Sequence, residues 1–191
     1  LIKKKRKFHL VTADPPWNYK DKAKAGKRGA ADQYKGGTMT IEDLMDMGEL
    51  VDAVTHKDSV LLMWGTWPLS TECRVLMRAW GFKFKTCAFV WVKLCKNKRK
   101  LKIGMGHYSR SNTEYVLLGV KKGGKSLPVL DKGIQQVIID HIRENSRKPD
   151  EYFARVDRMF GKKIKRLELF GREPRTRWTV LGDEVDKFKG A

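Results

Sequence analysis

The tetrapeptide Asp14-Pro15-Pro16-Trp17 concentrates more usable chemistry than any other short stretch of the chain. A carboxylate and a proline-fixed backbone carbonyl together present two acceptors to one amine. A flat ring beside them can stack on a flat substrate. The prolines restrict this bay and favour preorganisation. An exocyclic amine on a nucleobase fits it, with two N–H donors and a π face. Such an amine is a poor nucleophile because its lone pair is delocalised into the ring. Two acceptors can draw it out of planarity and stabilise charge as it attacks. A donor carbon held in line then supplies much of the rate through positioning. Neither a metal nor a general base is required. The bland alternative is a strand-ending turn, because Asp and Pro both favour turns.

The flanking residues must position that bay. Residues 8–13 are β-rich, and the two prolines forbid their continuation as an internal strand. The bay therefore sits where a strand becomes a loop, the preferred location of sites in open α/β sheets. Residues 18–37 are polar and carry Gly26, Gly29, Gly36 and Gly37 among many lysines, which predicts a long loop. Thr40 is a candidate N-cap for a helix with Glu42 and Asp43 in its first turn and Leu44, Met47 and Val51 on one face. Residues 59–65 predict a buried strand that ends at Thr66-Trp67-Pro68. Residues 69–80 predict an amphipathic helix, and residues 82–93 an aromatic-rich strand with a break. Residues 94–111 predict a second basic loop, 114–120 a strand, 121–133 a further loop and 135–140 a short strand. Pro149 and the acids after it open a helix whose apolar face is Tyr152, Phe153, Val156 and Phe160, ended by Gly161. Residues 165–170 predict a strand, and 177–185 a strand and turn. Strands alternating with helices imply an α/β fold with a mostly parallel twisted sheet and helices on both faces. Residues 1–191 read as a single domain, with a basic N-terminal run at 3–7 and basic loops at 18–37 and 94–111.

Charge is the dominant compositional fact. Lys and Arg number 41 against 22 Asp and Glu, a net charge of +19 in 191 residues. Solubility needs only about 2 to 8 net charges in a small domain, so an anionic partner is implied, nucleic acid first among them. Lys20, Lys22, Lys24, Lys27 and Arg28 form one candidate phosphate-contacting group. Lys96, Lys98, Arg99, Lys100 and Lys102 form another. The three cysteines, Cys73, Cys87 and Cys95, form no C-x-x-C pair, which argues against a disulfide scaffold or zinc ribbon and for a reducing compartment. His9, His56 and His141 have no ligand spacing, so no metal is expected. No apolar run is long enough to span a bilayer, and no secretory signal is expected. Trp64, Trp80 and Trp91 read as core. Trp67, beside Pro68 at a strand end, is better placed to face a site.

The tetrapeptide after a VTA strand resembles the S-adenosylmethionine-dependent adenine-N6 methyltransferases, the family of the eukaryotic mRNA methylase catalytic subunit and its bacterial and phage relatives. Further ordered motifs carry the resemblance along nearly the whole chain: Tyr34-Lys35-Gly36-Gly37-Thr38-Met39, Leu62-Met63-Trp64-Gly65, Trp91-Val92-Lys93, Gly106-His107-Tyr108, Glu114 to Lys121, Ser146 to Glu151 and Glu168-Leu169-Phe170-Gly171-Arg172. It implies a Rossmann-like methyltransferase in permuted order, with the catalytic loop early and the cofactor strand late.

The resemblance also implies roles. Asp14 and the Pro15 carbonyl would bind the target amine, with Asp14 also near the cofactor, and Pro16 and Trp17 would complete the catalytic loop, Trp17 touching the target base. Lys148 would pair with the carboxylate of S-adenosylmethionine. Glu168, Phe170 and Arg172 would line its pocket, and Asp183 and Glu184 would contact its ribose. Tyr34 and His107 would join the lysine-rich loops on the nucleic acid. This chain departs from the best-known members at Glu173-Pro174-Arg175, where they carry Pro-His-Asn, and at Asp183-Glu184, where they carry Asn-Gln. The implied activity is methyl transfer to the N6 amine of adenine, in DNA before RNA. A homodimer or heterodimer is expected, with no membrane partner, in the cytoplasm, or in the nucleus of a eukaryote. The rival readings are a non-catalytic nucleic-acid-binding subunit of the same fold and methylation of the cytosine N4 amine.

Overall fold

A computed structural model describes residues 6–18, 36–106, 108–144 and 147–188. Among the described residues, eight strands form one sheet: β1 Phe8–Ala13, β2 Thr55–Gly65, β3 Phe82–Cys95, β4 Lys98–Leu101, β5 Thr113–Lys121, β6 Val137–His141, β7 Arg166–Leu169 and β8 Trp178–Leu181. Their order is β4-β3-β5-β2-β1-β7-β8, with β6 paired to β3. The sheet is mixed. β1 runs parallel to both β2 and β7, β7 to β8, and β3 to β6. β5 runs antiparallel to β2 and β3, and β4 to β3. The parallel half, β2-β1-β7-β8, carries the bay at the end of β1.

Four α-helices among the described residues flank the sheet: α1 Ile41–Asp46, α2 Gly48–Val54, α3 Ser70–Ala79 and α4 Asp150–Phe160. Period-2 alternation divides the strands between two cores. Val11, Ala13, Leu61 and Met63 face α1 to α3, packing with Leu44, Val51, Leu76 and Trp80. Leu10, Val60, Leu62 and Trp64 face α4, packing with Tyr152, Phe153, Val156 and Phe160. Helices thus cover both faces, as the alternation predicts. Each fully buried aliphatic or aromatic side chain contributes about 1.5–3 kcal/mol of transfer free energy.

Local chemistry sets the helix ends. Thr40 caps α1 in a reciprocal box: its hydroxyl accepts from the Asp43 amide at 3.1 Å, and the Asp43 carboxylate accepts from the Thr40 amide at 3.0 Å. The single helix expected beyond Thr40 is instead two, broken at Met47-Gly48. The Trp80 indole N–H captures the Leu44 carbonyl at 2.7 Å, and Gly48 sits so close to the Ala79 carbonyl that a Cβ would meet it at 2.9 Å. Tertiary packing against α3 therefore overrides helical continuity. Pro149 is the N-cap of α4 and Gly161, at φ +73°, its C-cap.

The expected loop at 94–111 also needs correction. β3 continues to Cys95 and turns tightly into β4, whose four residues are all exposed. Lysines on a solvent-facing edge strand cost nothing in burial and discourage edge-to-edge pairing, so a basic run is no obstacle to a strand there. The break expected in β3 is present as register shifts at Phe84–Thr86 and Cys87–Phe89.

Candidate active site

The carboxyl ends of the parallel strands β1 and β7 bring the early tetrapeptide beside the late Glu168-Arg172 segment. The Asp14 amide donates to the Leu169 carbonyl at 3.4 Å, which ties the two strand ends together. The loop after Asp14 is stitched by backbone bonds. The Trp17 amide donates to the Pro15 carbonyl at 2.9 Å, and the Met39 amide to the Pro16 carbonyl at 2.8 Å. One lone pair of the Pro15 carbonyl is thus engaged within the loop, and the second is left for an incoming donor.

Asp14 stands at the head of a partly buried charge chain. Its Oδ2 lies 2.9 Å from Lys148 Nζ. The same ammonium lies 3.0 Å from Glu114 Oε2, and Glu114 Oε1 lies 2.5 Å from Lys93 Nζ. Lys148 also sits 5.0 Å from the centre of the Trp64 ring, a cation–π contact. Burial pushes the Asp14 carboxyl above the usual carboxylate range, opposed by Lys148 and reinforced by Glu114. Burial would raise Glu114 as well, but Lys148 and Lys93 overcome it and hold the carboxyl at about 2. Beneath this chain the Thr12 and Tyr152 hydroxyls share a hydrogen bond of 2.6 Å.

Two adjoining clefts open beside Asp14 and share Phe170 and Arg172. The first is walled by Asp14, Lys148, Glu168, Phe153 and Arg175. The second is bounded by Pro16, Gly36, Asp183 and Glu184. Phe170 takes φ +62°, a conformation rare for a side chain with a Cβ, and so turns the chain sharply between the clefts. Backbone fits tightly here: a Cβ on Gly182 would meet the Gly171 carbonyl at 2.3 Å. Glu184 pairs with Arg172 at 3.2 Å and with Lys187 at 2.7 Å. Glu168 is pushed up to about 7, chiefly by burial, with Arg175 opposing and Asp14 reinforcing. Its Oε2 is buried without a hydrogen-bond partner among the described residues.

The structure thus gathers Asp14, Pro16, Lys148, Glu168, Phe170, Arg172, Asp183 and Glu184 around one pair of clefts. Trp17 is placed differently from the expectation. Its ring is only 6% exposed and packs into the α1–α3 core, so it braces the loop from behind instead of offering a stacking face. Trp67 follows β2 at the same edge of the sheet and is 55% exposed, its Nε1 donating to Thr113 Oγ1 at 3.0 Å. Trp64, Trp80 and Trp91 are core residues, as expected. Lys98, Arg99 and Lys100 lie exposed on β4. Lys20, Lys22, Lys27, Arg28, Tyr34 and His107 lie outside the described residues, as do Lys24 and residues 3–5 of the basic run.

Sequence reasoning gave no role to Glu114, Lys93, Glu173 or Arg175. The fixed spacing of Lys93 in Trp-Val-Lys and of Glu114 at a strand start was visible. Only the antiparallel pairing of β3 with β5, which sets Trp91 opposite Glu114, shows that their charges meet. Among the described residues no three His, Cys, Asp or Glu side chains are grouped to hold a metal.

The residues present fit S-adenosylmethionine. The second cleft offers carboxylates to hydroxyl donors, Phe170 offers an apolar wall, and the orphaned Glu168 oxygen in the first awaits a donor. An α/β protein with such a cleft beside an amine-accepting bay is built to bring a charged nucleoside against an amine. The chain belongs to the MT-A70 family, whose sequence pattern matches residues 8–184. The type II methyltransferase M.MunI of Mycoplasma sp is 30% identical over 97% of this chain and 81% of its own length. The human N(6)-adenosine-methyltransferase catalytic subunit METTL3 is 28% identical over 94% of this chain, but over only 28% of its own length. The Drosophila melanogaster N(6)-adenosine-methyltransferase MT-A70-like protein is 28% identical over 96% of this chain and 28% of its own. The chain therefore spans most of the Mycoplasma protein and just over a quarter of the animal ones.

Proposed function

We infer that this chain transfers a methyl group from S-adenosylmethionine to the N6 amine of adenine in nucleic acid. The observation that carries the reading is the placement of the Asp14-Pro15-Pro16 bay against the two clefts at the carboxyl edge of β1 and β7. The cofactor, when bound, supplies a methyl carbon activated by a sulfonium. The protein supplies everything else. The Asp14 carboxylate and the free lone pair of the Pro15 carbonyl accept the two amine hydrogens and turn the nitrogen lone pair out of the ring. Burial raises the basicity of Asp14, so it answers strongly to the positive charge that develops on the nitrogen. Lys148 fixes the carboxylate's orientation from the far side.

DNA is the proposed substrate before RNA. The type II methyltransferase is matched at slightly higher identity than METTL3, 30% against 28%. A base in a duplex must first be flipped out of the stack. The exposed Trp67 indole supports a stacking role for that residue, and the exposed β4 cations support contact with the phosphate backbone. A second subunit belongs to the same proposal. Ile103, Met105, Tyr108 and Ile139 are each more than half exposed, and a partner would cover such apolar side chains. Three free thiols suit the reducing cytoplasm, which is the proposed location.

The test is transfer of label from S-adenosylmethionine to separate pools of single-stranded DNA, duplex DNA and RNA, each digested and analysed by mass spectrometry. Label on N6-methyladenine that disappears in Asp14→Ala is the expected result, and the labelled pool names the substrate. Label on cytosine would move the chemistry to the N4 amine. No label together with no cofactor binding would leave a passive nucleic-acid binder.

A further inference from the structure

Trp67 is pinned from two sides, although more than half of its surface is open to solvent. Its ring lies against the Tyr115 ring, with centroids 4.8 Å apart and planes inclined by 57°, and its Nε1 donates to Thr113 Oγ1 at 3.0 Å. Tyr115 is fully buried, and Gly65 makes room for it, since a Cβ there would meet Tyr115 Cε2 at 2.9 Å. Pro68 follows in a 3₁₀ turn, Trp67–Leu69, and stiffens the backbone at this point. Fixing a side chain costs conformational entropy, and here the two contacts that fix it bury less than half of the ring. The open face is thus presented, already oriented, at the carboxyl edge of the sheet. Ala13 pairs with Met63 in the parallel β1–β2 register, which on continuation sets Pro15 level with Gly65. Strand spacing then puts Trp67 on the order of 10 Å from the Pro15 carbonyl. Asp14 is near enough to act on the Cys73 thiol, which bonds to Tyr115.

We propose that Thr113 is a positioning residue for the reaction: it aims the Trp67 indole so that the open ring face receives the target base whose amine enters the Asp14–Pro15 bay. The assignment rests on the methyl-transfer reading above and deepens it by naming what orients the stacking ring. Successive side chains of a strand point to opposite faces, and the start of β5 uses both. Thr113 and Tyr115 hold Trp67 on one face. Glu114, between them, holds Lys148 on the other, and through it Asp14. Three consecutive residues of one strand therefore fix both the amine acceptor and the ring. The two contacts are complementary. Stacking sets the height of the base plane, and hydrogen bonds from the amine set the position of the base within that plane, so together they hold the nitrogen in line for attack. Trp67 thereby takes the stacking role that the buried Trp17 cannot fill.

The experiment measures kcat/KM for the nucleic-acid pool that accepts label, at saturating S-adenosylmethionine, in a double-mutant cycle on the full chain. Trp67→Ala should lower kcat/KM by about ten-fold or more and leave S-adenosylhomocysteine affinity within about two-fold. Thr113→Val keeps the shape and removes the acceptor, and should lower kcat/KM by about three-fold. Thr113→Ser returns the hydroxyl and should restore the rate. In the Trp67→Ala background Thr113→Val should cost nothing further, because the hydroxyl acts only through the indole. A spectroscopic reading stands beside the kinetics. The tryptophan emission that Trp67→Phe removes should become shielded from acrylamide when nucleic acid is added with S-adenosylhomocysteine. An unchanged kcat/KM in Trp67→Ala, an equal loss from Thr113→Val with and without the indole, or undiminished quenching would overturn the assignment while leaving methyl transfer intact. No label in any pool with the unchanged protein would overturn the methyl-transfer reading, and the assignment with it.

Discussion

Asp14 at the end of β1 and Lys148 just ahead of α4 meet at 2.9 Å in the floor of the site. The contact joins the segment that receives the amine to the segment that opens the helix under the opposite face of the sheet. It also gives the aspartate a fixed orientation and a counter-charge in a place where burial disfavours its ionisation.

Asp14→Asn keeps the shape of the bay and removes its charge. Methyl transfer is expected to fall by about 10²–10³-fold, the loss typical of one preorganised electrostatic contact at a reacting centre. Cofactor binding should fall far less than the transfer rate, although Asp14 also borders the first cleft. Single-turnover rates beside an S-adenosylhomocysteine titration check this, and a loss confined to a few-fold would show that Asp14 is not the principal acceptor.

Glu114 bridges two partly buried lysines, and because Lys148 keeps Asp14, Glu114→Ala leaves Lys93 without its carboxylate partner. A destabilisation of about 1–3 kcal/mol is expected in urea unfolding. The pH dependence has a definite sign. The folded carboxyl titrates at about 2, below its unfolded value of 4.5. Its contribution is therefore complete above pH 4.5 and is lost as pH falls towards 2. Unfolding curves at pH 3 and pH 6 should diverge in the unchanged protein and converge in Glu114→Gln.

Glu168 gives the opposite slope. Its folded value of about 7 lies above the unfolded 4.5, so the folded state holds a proton that the unfolded chain releases. Stability should fall as pH rises from 4.5 to 7, by up to ~3 kcal/mol. Glu168→Gln should flatten that fall and stand above the unchanged protein at pH 8. Thermal unfolding of the two proteins across that range measures it, and parallel curves would remove Glu168 as the cause.

The exposed β4 cations predict a salt effect separable from cofactor binding. A triple Lys98→Ala, Arg99→Ala, Lys100→Ala variant should bind nucleic acid more weakly. On duplex DNA its log–log salt dependence should flatten by about 0.9 for each phosphate that the variant no longer neutralises. S-adenosylhomocysteine affinity should not move. An unchanged slope would place the phosphate track elsewhere on the surface.

Gly182→Ala tests the close approach of the two strand-end loops. The added methyl would meet backbone at 2.3 Å, and backbone cannot rotate away as a side chain can. A loss of about 1–3 kcal/mol in stability is expected, together with weaker cofactor binding, because the displaced Gly171 sits between Phe170 and Arg172. Calorimetric unfolding and ligand titration report the two effects separately.

Much of this was already written in local sequence. The β1 strand is predicted at residues 8–13 and observed at Phe8–Ala13, because apolar β-formers stop at two prolines that cannot pair within a sheet. The Thr40 cap, the Gly161 stop and the exposed Trp67 follow from nearest-neighbour chemistry that tertiary packing did not override. The motif order also named Asp14, Lys148, Glu168, Phe170 and Arg172, which line one cleft. What no local pattern carried was the company those residues keep. The burial of Trp17 depends on a core assembled from α1 and α3. The division of Met47-Gly48 into two helices depends on the Trp80 indole, at the end of α3, taking a carbonyl from α1. The Lys93–Glu114–Lys148–Asp14 chain and the Glu168–Arg175 pair join residues from distant strands and loops. Charges attract over ångströms of space, not over positions in a chain. Their pairing, and the ionisation it sets, was therefore decided only when the sheet brought them together.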